Sequence, residues 1–208
     1  MPAGDIDRMP VERRRRLVRT AAAEFATAGY DAASLNRIIQ ACGLSKSSFY
    51  HVFASKQDLF TLVVADLASE LADAVGAPEP DAFSADRFWP TIDALFDRLM
   101  LVLQADPAYA ALGRMFYLSG TPDDAGSAVN QALASVESWV RRVLESGRQS
   151  AAVRDDLPVA LQSRLVFSVL RALDEWSVRN LDAIPAQEWP NLMIAQKAAL
   201  RRLLEPDV

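Results

Sequence analysis

Apolar residues recur at helical spacing along almost the whole of this chain, and a glycine, a proline or a capping serine interrupts the pattern at short intervals. Spacings of three and four place side chains on one stripe of a helix, whereas a strand requires alternation. Leu17, Ala21, Phe25 and Ala28 follow this rule in a first helix that begins near Pro10 and stops at Gly29. Ser34 caps a second, short helix with the apolar face Leu35, Ile38, Ile39 and Cys42, and Gly43 ends it. Ser45 caps a third short helix, SKSSFYHVF, in which Phe49 and either Val52 or Phe53 turn inward while Lys46, Ser47 and Ser48 stay outside. Ser55 and Asp58 have the spacing of a capping box, with Asp for the usual Glu. They open a long fourth helix through Leu59, Leu62, Val63 and Leu67 to about Gly76.

Two prolines and a glycine in Gly76-Ala-Pro-Glu-Pro80 make the clearest break, because such a segment cannot continue a helix. Beyond it the pattern predicts helices at 85–105, 107–119, 123–149, 158–183 and 186–204. Asp106-Pro107, Gly120-Thr-Pro122, Asp155 to Pro158 and Ile184-Pro185 separate them. Alternating β-branched runs and Asn-Gly hairpin signals are absent, so the expected fold is all-α.

Charge divides along the chain. Of the net −5, residues 1–60 contribute +3 and the remainder −8, so the N-terminal end suits phosphates and the rest repels them. Arg13 to Arg16 head the basic part and read either as a solvated helix face or as a phosphate or minor-groove contact. One cysteine and one histidine, Cys42 and His51, exclude an internal disulfide and leave too few ligands for a zinc site. Cys42 sits on an apolar helix face beside Gly43 and is expected to be a buried, inert thiol. With no Gly-rich phosphate loop, no Gly-x-Ser-x-Gly and no metal-spaced cluster, neither an enzyme nor a cofactor or metal is expected. No apolar stretch reaches the roughly 18 residues of a membrane span and no secretory signal is visible, so the expectation is a cytoplasmic protein without membrane contact.

Two short helices joined by a tight Gly-containing turn, the second presenting small polar and basic residues, are the layout that places side chains in a DNA major groove. Ser47 and Ser48 keep such a helix close to base edges, and Lys46 supplies charge for phosphate or guanine. Tyr50 reads as a phosphate contact or a core edge, and His51 as a phosphate contact or a solvent-exposed residue. Lys56 adds charge at the start of the fourth helix. The run FATAGYDAASLNRIIQACGLSKSSFYHVFASKQDLF, residues 25–60, resembles the DNA-binding region of TetR-family repressors. Phe25, Gly29-Tyr30, Ser34, Gly43-Leu44-Ser45, Tyr50, Phe53 and Lys56 carry the match. The resemblance implies that Ser34, Ser45, Lys46, Ser47, Ser48, Tyr50, His51 and Lys56 face DNA, and Arg37 is placed with them. It implies a small core of Phe25, Ile38, Leu44, Phe49 and Phe53. Ser47-Ser48 stand where family members often have Gly-Thr, and Ile39 where a small residue is common; these departures bear on operator sequence and packing.

The division expected from this resemblance is a three-helix helix-turn-helix DNA-binding domain over residues 1–57 and a helical effector-binding and dimerisation domain over 58–208. In the family a cavity between the later helices takes a flat or greasy small molecule. Trp89, Phe96, Met100, Phe116, Tyr117, Trp139 and Trp176 are the candidate ligand contacts, against the alternative that each is ordinary core. Arg114 reads as a partner for an acidic ligand or as a surface ion pair. The last two helices carry apolar faces, Leu161, Leu165, Val169, Ala172 and Trp176 on one, Leu192, Ala195, Ala199 and Leu203 on the other. Two copies joined there would make a four-helix homodimer that reads a palindromic operator. The function expected is a sequence-specific regulator, repressing until an effector releases it, with constitutive DNA binding and activation as the alternatives.

Overall fold

The computed structural model describes residues 9–83, 85–118, 120 and 127–206. Among them the regular structure is helical, without strands: α1 (Val11–Ala32), α2 (Leu35–Ala41), α3 (Lys46–Val52), α4 (Lys56–Val75), α5 (Phe88–Ala105), α6 (Pro107–Tyr117), α7 (Ser127–Gln149), α8 (Val159–Arg179) and α9 (Trp189–Leu204). Three short 3₁₀ turns, Pro80–Ala82, Ala85–Arg87 and Ala186–Glu188, lead into longer elements.

Local chemistry accounts for the boundaries. In α1 the helical path breaks at Gly29, whose φ of 76° and ψ of 169° belong to glycine. That break returns Tyr30 to the core, where it stacks on Phe25 at 6.1 Å and meets Phe60 edge-on at 5.3 Å. The expected box at α4 forms reciprocally: Ser55 N donates to Asp58 Oδ2 at 2.9 Å and Asp58 N to Ser55 Oγ at 3.1 Å. α8 stops at Arg179, four residues before the expected end, because Asn180 turns its side-chain amide onto the Trp176 carbonyl at 2.8 Å. α5 and α9 begin at Phe88 and Trp189, slightly after their expected starts, each following a 3₁₀ turn. Thr121 and Pro122, and the first residues of the helix expected from 123, lie outside the described residues.

The chain packs as two compact units, one of residues up to Ala72 with Asp106–Ala132, the other of Asp73–Ala105 with Leu133–Val208. In the first unit Leu17, Val18, Ala21 and Phe25 of α1 are fully or almost fully buried with Ile38, Phe49, Leu59, Phe60 and Leu67. Within this unit α6 packs along α1 and buries Ala108, Leu112 and Met115. Cys42 is a buried free thiol.

The second unit has its core around Phe83, Phe88, Val140, Val143, Leu144, Val153, Val166 and Leu204. Gly147 permits a close approach: a Cβ there would lie 2.5 Å from the Phe88 ring and 2.5 Å from Val153. The connection from α7 to α8 is held by Arg148, which donates to the carbonyls of Leu157 at 2.7 Å and Asp155 at 3.0 Å and to Gln162 Oε1 at 2.9 Å. Gln162, buried, in turn donates to Arg154 O at 2.9 Å, so its amide is satisfied on both sides.

Candidate functional site

Gly43, at φ 64°, lets the chain leave α2 sharply, with Leu44 N donating to Ile39 O at 3.0 Å. Ser45 then starts α3, its Oγ accepting from Ser48 N at 3.0 Å and sharing a 2.8 Å hydrogen bond with Ser48 Oγ. Phe49 anchors the helix from below, buried and 5.0 Å from the Phe53 ring. One anchored position in a helix this short leaves the rest outside: Lys46, Ser47, Ser48, Tyr50 and His51 are all exposed. Tyr50 leans edge-on against Phe49 at 5.4 Å while remaining 52% exposed, so it is a rim residue rather than core. Leu44, expected inside, is half-buried.

Three other candidates are held by the domain itself. Ser34 is the N-cap of α2, its Oγ accepting from Arg37 N at 3.3 Å and its own N–H donating to Glu24 at 2.7 Å. Arg37 lies on the exposed side of α2 but clasps Glu24, with Nε at 2.9 and 3.1 Å from the two carboxylate oxygens. The hydrogen bonds from Arg37, ahead of opposing burial, hold the Glu24 carboxyl below its ordinary value. Lys56 donates to the carbonyls of Tyr30 and Asp31, both at 2.9 Å, and its ammonium stands 5.4 Å from the centre of the Tyr30 ring. It ties the start of α4 to the end of α1, a role that the sequence pattern alone does not announce.

The arginine run lies inside α1, which begins at Val11, as expected from Pro10. Successive residues of a helix point about 100° apart, so the four guanidinium groups diverge. Arg14 turns inward to Asp66 of α4, at 2.7 and 2.6 Å, and Arg16 donates to Ala41 O at 2.9 Å. Arg13 is exposed and borders a small cleft with Leu44, Ser48 and His51, on the same side as α3.

Farther along α1, Arg19 bridges two carboxylates: Glu70 of α4 at 2.9 Å and Asp106, the N-cap of α6, at 2.7 Å. Burial alone pushes the Asp106 carboxyl up, but the Ala108 N–H at 2.9 Å and the Arg19 guanidinium outweigh it and hold the group below its ordinary value. This triad joins α1, α4 and α6 within the first unit.

In the second unit α5, α7, α8 and α9 enclose a cavity of about 620 Å³, well within the roughly 300–1,000 Å³ of small-molecule sites. Trp89, Phe96 and Trp139 stand on its wall with Phe88, Ile92, Leu95, Val136, Val143, Leu170 and Ile194. Trp139 is fixed by a hydrogen bond from Nε1 to Pro78 O at 3.0 Å. Met100, Phe116, Tyr117 and Trp176 are not on this wall. Phe116 and Tyr117 belong to α6 in the first unit, and Trp176 is 48% exposed on α8. The wall also has a charged part, Asp93, Asp97, Lys197 and Arg201, which was not among the residues expected there. Their i, i+4 spacing on two separate helices was the available signal. Among the described residues no cluster of His, Cys, Asp or Glu is disposed to hold a metal, and no helix is long and apolar enough to cross a membrane.

Residues 17–63 match the family model of bacterial regulatory proteins of the tetR family. An uncharacterized HTH-type transcriptional regulator of Bacillus subtilis, YdgC, is 36% identical over 61 residues, a stretch covering 29% of this chain and 31% of that protein. The fold as a whole is similar to a TetR family transcriptional regulator from Chloroflexus aurantiacus, with a TM-score of 0.61 and 22% identity over 100% of both chains. It is also similar to the transcriptional regulator FadR of Bacillus subtilis, solved in complex with stearoyl-CoA, with a TM-score of 0.68 and 15% identity over 91% of this chain and 97% of that one. The capped helices, the Gly43 turn and the outward face of α3 lie within the segment, residues 17–63, that matches the tetR family of bacterial regulatory proteins, and the chain spans about a third of the length of the curated relative it matches.

Proposed function

We propose that the protein is a repressor in which residues 1–57 bind operator DNA and residues 58–208 bind a small, largely apolar or aromatic effector and join two copies. The observation that carries this reading is the face of α3, where Lys46, Ser47, Ser48, Tyr50 and His51 are exposed together above a single buried anchor, Phe49. Lys46 and the two serines reach base edges, and Tyr50, His51 and Arg13 set the register on phosphates. Ser34, Ser45, Arg37 and Lys56 shape and hold the reading head, Arg37 with its guanidinium near enough to the surface to approach the backbone as well.

A homodimer accounts for the apolar surface of α8, where Leu161, Leu165 and Trp176 are 46%, 40% and 48% exposed. Two-fold pairing through α8 and α9 presents two recognition helices to a palindromic operator, and linked half-sites bind more tightly than separate ones. The proposed place of action is the cytoplasm.

The cavity supports a ligand-responsive regulator over a constitutive one. The similarly folded regulator FadR of Bacillus subtilis was solved in complex with stearoyl-CoA, which carries a long apolar acyl chain. An effector that prefers the DNA-incompetent state by roughly 100-fold supplies about 2.7 kcal/mol of coupling.

The test is fluorescence anisotropy with the DNA upstream of the protein's own gene against a scrambled duplex of equal length, across a salt series. Specific, salt-sensitive binding, weakened about tenfold or more by Lys46→Ala and by Tyr50→Ala, is the expected result. Absence of binding to either duplex at low salt would sink the reading.

A further inference from the structure

The charged residues of the cavity wall are confined to two helices. Asp93 and Asp97 are one turn apart on α5, and Lys197 and Arg201 one turn apart on α9; the rest of the wall is apolar. All four are partly exposed, so they stand where the wall meets solvent. A molecule filling this space has an apolar body and one polar end.

The sign of that end follows from unequal burial. Lys197 Nζ lies 3.0 Å from Asp97 and 3.5 Å from Asp93. Its side chain is only 21% exposed, whereas those of Asp93 and Asp97 are 50% and 72% exposed. An incoming anion that displaces Asp97 leaves Lys197 paired and returns to water a carboxylate that is already mostly in it, an exchange of low cost. An incoming cation has to draw the carboxylates away and leave Lys197, the least exposed of the three side chains, without its counter-ions, which is the more costly exchange. Arg201 adds a second positive group one turn on, its guanidinium carbon 5.0 Å from the centre of the Trp89 ring and its Nε bonded to Glu205. The hydrogen bond to Asp97, ahead of the opposing effect of burial, raises the Lys197 ammonium above its ordinary value, so it is charged at neutral pH.

We propose that this cavity binds a largely apolar molecule ending in one anionic group, a carboxylate or a phosphate, and that Lys197 receives that group in exchange for Asp97. The inference rests on the effector reading of the same cavity and adds the chemical class of the ligand.

The experiment titrates the full-length protein, without DNA, by isothermal calorimetry with dodecanoate, dodecyl phosphate, dodecanol and dodecyltrimethylammonium, each below its micellar concentration. The expected result is that an anionic amphiphile binds about tenfold more tightly than the alcohol, with the ammonium weakest and the preference shrinking as salt is added. The ratio of the two anions identifies the preferred head group. Lys197→Met is expected to bring the better anion to within about threefold of the alcohol. Asp97→Asn, at an exposed position, is expected to tighten anion binding about threefold by removing the competing carboxylate. Equal affinity for the alcohol and the anions, a preference for the ammonium, or binding of none of the four overturns the proposal. Operator release is measured in parallel: anion-selective binding that leaves DNA affinity unchanged defeats the release mechanism alone, and release by these amphiphiles regardless of head charge defeats the ligand class alone.

Discussion

Gly43 turns the chain from α2 into α3 at φ 64°, and a Cβ built on it meets nothing within 4 Å. Substitution there is therefore a question of backbone conformation rather than space. Gly43→Ala is expected to lose about 1 kcal/mol of stability, read as a lowered urea midpoint with an unchanged m-value, and Gly43→Asn less. Glu24 makes a different prediction at the same scale. Its carboxyl is held below the ordinary 4.5 by Arg37 and by the Ser34 N–H, against burial. A depressed value in the folded state gives a contribution that is fully present above the ordinary glutamate range and is lost as pH falls through the folded value. Glu24→Gln, which keeps an acceptor for the Ser34 N–H, is expected to flatten the acid side of a melting-temperature profile and to leave its slope above pH ~6 unaltered. Both positions were conspicuous in sequence only in part: a glycine after an apolar helix face announces a C-cap, whereas nothing local pairs Glu24 with a residue 13 positions away.

Elements were legible where their ends are made by neighbours in sequence. Ser34, Ser45, Ser55 with Asp58, and Asp106 all cap the helices they precede, because capping needs only a side-chain oxygen near the next amides. The arginine run was not legible, since which guanidinium finds a carboxylate depends on the placement of α4 beside α1. Asp106 separates these two kinds of information, being both a local cap and a long-range partner of Arg19. Asp106→Asn retains the cap and loses the charge pair, whereas Asp106→Ala loses both. The alanine variant is expected to be less stable than the asparagine variant by about 1 kcal/mol, measured by chemical denaturation.

For the whole molecule, the exposed apolar stripe on α8 carries the expectation of a dimer. Leu165→Glu sets a charge into that stripe while leaving the buried Val166 and Phe167 unchanged. A shift from dimer to monomer in sedimentation velocity, with operator affinity falling at least about 100-fold as half-sites are uncoupled, is the expected outcome. A dimer that persists with wild-type affinity would place the interface elsewhere. The aromatic residues teach the same lesson about scale. Trp89, Phe96 and Trp139 share one wall, but Phe116 and Tyr117, equally aromatic and equally well spaced, pack in the other unit, and Trp176 faces outward.

The sequence by itself determined the helical class, most element boundaries, the helix-turn-helix and the outward face of α3. Each of these follows from interactions between residues a few positions apart: periodicity, caps and a left-handed turn. Only the tertiary structure decided which arginines are consumed by ion pairs, that Lys56 is a clasp on Tyr30 and Asp31, and which aromatic side chains bound a cavity. It also decided that Lys197, hidden among the charges of an ordinary amphipathic helix, sits more deeply than the aspartates facing it. Those outcomes depend on which faces of distant helices meet, and on how far each charge is withdrawn from water when they do, and neither quantity is a function of local sequence.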